Sequence, residues 1–138
     1  MTRRPEKEGL RWLEQASEDL KGAEVLFGAA IYHLACFTAQ QVAEKALKAF
    51  LYFKGETLVT GHSVEQLCWW ASEHDAEFEK HRSDWAALDG YYVAARYPNA
   101  LPDSIPAKVY GERVAQHAVS LAKEVVALVT QRIKPELV

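Results

Sequence analysis

Arg96 stands where a run of helix-favouring residues gives way to Pro98. A guanidinium at such a broken end can grip a phosphate through two parallel N–H donors. It can equally cap helical carbonyls or pair with a nearby acid. Tyr92 and Tyr97 flank it, with rings suited to stacking on a base or to packing in a helical interior. Asn99 offers donors and an acceptor to a base edge or a hydroxyl, and also suits a turn after Pro98. Far upstream, Glu44, Lys45 and Lys48 crowd neighbouring positions. Glu44 and Lys48 are spaced i,i+4 in the order that favours an exposed ion pair. The sharper alternative has Lys45 or Lys48 adding positive charge to an Arg96 pocket while Glu44 orients it. His62, just before Ser63, is the candidate general acid or base. That role requires reach to the reacting atoms, and a local hydrogen bond is the plainer use.

Other combinations carry less. Arg113 and His117 form an Arg-x-x-x-His pair inside a helical stretch and read as coincidence. His74, Asp75, Glu77, Glu79 and His81 are close together, but without His-x-x-x-His or Glu-x-x-His spacing they describe a solvated acidic loop. There is no Gly-x-Ser-x-Gly elbow, P-loop or Cys-x-x-Cys pair. Neither a metal nor a cofactor is expected.

The elements that must position these groups are helices. No proline interrupts the chain between Pro5 and Pro98. Leu10, Leu13, Leu20, Ala23 and Phe27 share one face of a helix over about 6–27, closed by Gly28. A second helix, about 30–54, ends at Gly55 and is apolar on two sides, so it belongs at the centre. Its remaining strip is Gln40, Gln41, Glu44, Lys45 and Lys48. Ser63 with Gln66 has capping-box spacing and starts a third helix. A fourth, from Ser83 or Asp84, carries Trp85, Leu88, Tyr91, Tyr92 and Ala95. After the prolines Pro98, Pro102 and Pro106, a last helix capped by Asp103 or Ser104 runs to about Ile133, with Tyr110, Val114, Ala118, Leu121, Val125, Leu128 and Val129 on one face. Short connections make neighbours antiparallel, so the prediction is an all-α, up-and-down bundle of four or five helices.

Composition agrees. The chain has 138 residues, 21 of them alanine against 7 glycines and 5 prolines, which favours helix. The length suits a single domain over 1–138, with its core at about 8–133, and is too short for a two-domain dinucleotide enzyme or a barrel. A net charge of −3 argues against generic duplex DNA binding. Residues 61–106 hold eight Asp or Glu but three Lys or Arg, which leaves Arg96 isolated in an acidic segment. The charged start, Met1 to Glu8, precedes no signal-type core, and the apolar stretch from Val25 to Phe37 is too short to span a bilayer. With two cysteines, Cys36 and Cys68, expected as buried free thiols, a reducing cytoplasm and no membrane are expected.

Three segments recur here in a familiar order: Gln41-Val42-Ala43-Glu44-Lys45-Ala46-Leu47-Lys48-Ala49, then Gly61-His62-Ser63, then Tyr92-Val93-Ala94-Ala95-Arg96-Tyr97-Pro98. In this helical context the chain resembles a bacterial HEPN-domain protein from about Trp12 to Ile133. The resemblance implies a small helical bundle and a nucleotide-binding role. One branch of that family comprises metal-independent, dimeric ribonucleases, marked by an Arg and a His with four to six residues between them. Arg96 matches the arginine, but Leu101, Pro102 and Asp103 occupy the places of the histidine. The chain is similar instead to a branch with an Arg-Tyr-Pro motif, whose small proteins often pair with a minimal nucleotidyltransferase in toxin–antitoxin-like modules. That resemblance implies a non-catalytic nucleotide-, RNA- or partner-binding module, with Arg96 helped by Lys48 and Asn99. The alternatives are a ribonuclease using His62, and a purely structural or regulatory dimeric protein. Surplus apolar residues, Trp12, Leu26, Trp69 and Trp70, suggest a face for a partner, most simply a second copy.

Overall fold

The computed structural model describes residues 4–134. Met1 to Arg3 of the charged start, and the last four residues of the predicted domain, lie outside them. Three long helices dominate: α1 (Pro5–Gly28), α2 (Tyr32–Phe53) and, after six smaller pieces, α6 (Glu112–Ile133). The shorter helices are α3 (Val64–Ser72), α4 (Arg82–Trp85) and α5 (Pro106–Val109), with 3₁₀ turns at Ala76–His81, Ala86–Tyr91 and Pro98–Ala100. The described residues form no strand, so the architecture is an all-α bundle.

Pro5 at the start and acids at Glu6 and Glu8 suit the beginning of α1. Its end departs from the sequence reading. Gly28 is still helical, and the left-handed position falls on Ala30, with φ of 62°. The Ile31 N–H reaches back to the Leu26 carbonyl at 2.9 Å, closing the helix as a Schellman turn despite the Cβ. At the end of α2 the same turn uses Gly55, at φ of 101°, as expected.

The connection Ala29–Ile31 is short enough to fold α2 back along α1. Gly9 sits where the two backbones meet most closely. A Cβ there would stand 2.6 Å from Phe53 Cβ and 2.7 Å from the Ala49 carbonyl oxygen. Helix α6 runs antiparallel to α1, with Lys123 near Glu24 and Thr130 near Leu10 and Leu13. Helix α2 packs against both, and α3 lies on it too. Thirteen of its residues are buried, as a helix apolar on two sides requires. Its own Leu47, Phe50 and Leu51 are fully buried, as are Phe78, Trp85 and Leu88 elsewhere in the chain. Each such side chain contributes about 1.5–3 kcal/mol, well above a surface ion pair.

Two predicted helices are corrected. The fourth helix, expected from Ser83 or Asp84 through Ala95, is α-helical only to Trp85 and continues as the 3₁₀ turn Ala86–Tyr91, where the Asp89 carboxylate is drawn away to accept from the start of α3. Tyr92 to Arg96 follow as bends and turns. The last helix is split: Tyr110 and Gly111 are extended between α5 and α6. Tyr110 therefore lies off the buried face of α6, and Val114 is substantially exposed. Among the surplus apolar residues, Trp12, Leu26 and Trp70 pack partly buried against the core, while Trp69 stays 51% exposed. Cys36 and Cys68 are free and buried. Burial pushes the Cys36 thiol up to about 11 and the Cys68 thiol up to about 12. No helix of the described residues is long and apolar enough to cross a membrane.

Candidate functional site

The polar strip of α2 does not face solvent. Gln40, Glu44 and Lys48 are buried, at 0%, 6% and 7% exposure. Buried polar groups must be partnered, and here the partners come partly from the loop before α3. The Gln40 amide donates to the His62 carbonyl at 2.8 Å and, at 3.3 Å, to Glu44. Lys48 Nζ donates to Glu44 at 3.1 Å, so the expected i,i+4 pair forms, but as a buried pair. Lys48 also lies 5.8 Å from the Trp12 ring centre.

His62 Nδ1 is 3.3 and 3.2 Å from the two Glu44 oxygens. An ionised carboxylate only accepts, so in this contact Nδ1 carries the proton and Nε2 is turned away from Glu44. The imidazole side chain is 59% exposed. Asp89 fixes the loop behind it. Its carboxylate accepts from Ser63 Oγ at 2.9 Å and from the backbone N–H groups of Val64 and Glu65 at 2.6 and 3.1 Å. Ser63 Oγ in turn accepts from the Gln66 N–H, the predicted cap.

His62 stacks on Tyr92, with centroids 4.8 Å apart and planes 17° apart. Arg96 completes the array. Its Nε donates to the Tyr92 carbonyl at 2.8 Å, and its guanidinium carbon lies 5.0 Å from the Tyr92 ring, 5.0 Å from Tyr97 and 4.2 Å from Phe37. Among the described residues no carboxylate pairs with Arg96. The terminal N–H donors are thus held in place by rings rather than consumed by an acid.

Glu44, Lys48, His62, Tyr92, Tyr97 and Arg96 thus form one linked group. Two candidates stand apart. Lys45 is bonded to Asp19 of α1 rather than lending charge to Arg96. Asn99 is exposed and lines a separate hollow with Leu101, Asp103 and Lys108. Phe37, Gln40 and Asp89 belong to the group although the sequence reading did not assign them there. Phe37, Gln40 and Glu44 share a stripe at helical spacing, a legible signal. Nothing local ties Asp89 to Ser63. The members of the acidic loop are engaged elsewhere: Asp75 with Arg132, Glu77 with Lys80, Glu79 with Arg82, and His74 with Glu56. The His74 and Trp70 hydrogen bonds hold the Glu56 carboxyl below its usual range. Among the described residues no three His, Cys, Asp or Glu gather as a metal requires.

Chemically, the array offers a guanidinium for a phosphate, rings for a base, and an imidazole oriented by a carboxylate. Comparison with solved structures finds the same fold. TT1696 from Thermus thermophilus is 35% identical, over 90% of this chain and 97% of that one, with a TM-score of 0.79. ST0689, an archaeal HEPN homologue, is 32% identical, over 96% and 99% of the two chains, with a TM-score of 0.73. No curated protein matches. The HEPN-domain model matches residues 10–133, from the first core turn of α1 to the last residue of α6. Sequence and three-dimensional likeness therefore agree over nearly the whole bundle, and this chain belongs to the HEPN-domain family.

Proposed function

We propose that the chain binds a nucleotide or an RNA end at the Arg96, Tyr92 and His62 surface. The observation that carries this is a guanidinium seated on three aromatic rings without a carboxylate partner among the described residues. A surface of that kind favours a phosphate next to a stacking base. The Arg96-Tyr97-Pro98 sequence, with Leu101, Pro102 and Asp103 where a ribonuclease histidine would stand, supports binding without turnover. Pairing with a minimal nucleotidyltransferase in a toxin–antitoxin-like module, and association of two copies, belong to the same proposal. The exposed side chains of Val93 and Tyr97, either side of Arg96, give such contacts apolar area. A cytoplasmic setting rests on the two buried free thiols.

A panel of nucleotides in thermal unfolding tests it. A ligand at a hundred times its Kd stabilises the fold by about 2.7 kcal/mol. The expected result is an upward shift in Tm that Arg96→Ala abolishes. No shift with any nucleotide or short RNA would overturn the reading.

One observation favours a second reading, metal-independent RNA cleavage. Glu44 orients His62, a hydrogen bond suited to a general acid or base. Cleavage of single-stranded RNA in chelator, lost in both His62→Ala and Arg96→Ala, would establish it. Cleavage that persists in both variants excludes it.

A further inference from the structure

A cavity of about 690 Å³ opens beside His62, away from the Arg96 rings. That size lies within the range of small-molecule sites. His62, Glu65, Trp69, Trp70, Glu73 and Arg82 are among its walls. Trp70 is a fixed wall, since its Nε1 donates to Glu56 at 3.0 Å. Trp69 presents a half-exposed indole. The charge of Arg82 is committed to Glu65 at 2.9 Å and Glu79 at 3.3 Å. The Glu73 carboxylate takes no hydrogen bond or ion pair among the described residues.

We propose that this cavity is a guanine-base subsite, joined through His62 to the phosphate position at Arg96. The proposal rests on the nucleotide-binding reading above and names its ligand class, a guanine-containing short RNA. Charge sorts the two halves of the ligand. The cavity walls carry unneutralised carboxylate and repel a phosphate, whereas Arg96 attracts one. A neutral base is therefore the half that enters. Trp69 supplies a stacking face. The two oxygens of Glu73 accept from adjacent donors, and guanine offers them as N1–H and N2–H. Adenine and cytosine place an acceptor beside their amino group, and uracil flanks its single N–H with carbonyls, so each sets a lone pair against the carboxylate. His62 stands between base and phosphate, held by Glu44.

The test is equilibrium binding of GpA, ApG, ApA and UpU, with inorganic phosphate and an arginine-rich peptide as further probes. The guanine dinucleotides should bind roughly ten-fold tighter than ApA and UpU. Trp69→Ala should erase most of that advantage, and Glu73→Gln should remove the guanine preference while leaving the residual affinity. Both positions are exposed, so folding is retained, and circular dichroism verifies it. Arg96→Ala should weaken every dinucleotide together. Equal binding of all four, still sensitive to Arg96→Ala, would overturn the subsite and leave the nucleotide-binding reading standing. No binding at all removes both. Tighter capture of the peptide than of GpA or ApG, lost in Trp69→Ala, would mark the cavity as a cation pocket and overturn the proposal.

Discussion

Glu44 accepts from Lys48 and faces His62 while almost wholly removed from water. Deleting one partner of a buried pair strands the other charge, at a cost of about 3–5 kcal/mol. Glu44→Ala should therefore destabilise strongly in urea unfolding, and the Glu44→Leu, Lys48→Met double change should recover most of the loss. Asp19→Ala, which breaks the Lys45–Asp19 pair, more exposed than the Glu44–Lys48 pair, should cost under about 1 kcal/mol. The contrast shows what the sequence could reveal at this scale. The i,i+4 spacing named the Glu44–Lys48 pair correctly. It could not say that the strip turns inward at Glu44 and Lys48 but toward α1 at Lys45, since neighbouring residues on a helix point about 100° apart. Asn99 has the donors and acceptor for a base edge and stands three residues from Arg96, yet the 3₁₀ turn Pro98–Ala100 carries it off to another hollow.

Helix α1 bears two glycines with opposite roles. Gly9 is buried against α2, where any Cβ meets backbone and a Cβ at under 3 Å. Gly22 faces open space. Gly9→Ala should destabilise by about 1–3 kcal/mol through a forced shift of α2, while Gly22→Ala should stabilise by about 0.5–1 kcal/mol. Chemical denaturation of the two variants checks both signs. If Gly9→Ala proves neutral, the helices do not approach as closely as described. The long helices were legible because their apolar periodicity persists for five or more turns. The stretch from Ser83 to Ala95 was not, because one carboxylate, Asp89, satisfies three donors at the start of α3 and so reshapes its own segment. Such a tie joins residues far apart in sequence and leaves no periodic trace.

Across the whole molecule, the two thiols report how firmly the core is closed. Each is held above its ordinary value near 9 by burial. A group whose folded pKa is raised contributes its full stability below the unfolded value and loses it as pH climbs toward the folded one. Stability should hold up to about pH 8–9 and decline beyond, less steeply in Cys36→Ala. Native protein at pH 8 should resist iodoacetamide at both cysteines, and unfolded protein should react at both. Rapid labelling of native protein would mean that the core opens locally.

Helix α2 is at once the spine of the bundle and the bearer of Phe37, Gln40 and Glu44. Loosening those side chains means exposing Phe50, Leu47 and Leu51 in the same event. Amide protons along this helix should therefore exchange only when the entire protein opens. Changes that soften the spine cannot spare the ligand surface it carries, and a mutational survey would see affinity and thermal tolerance fall in step.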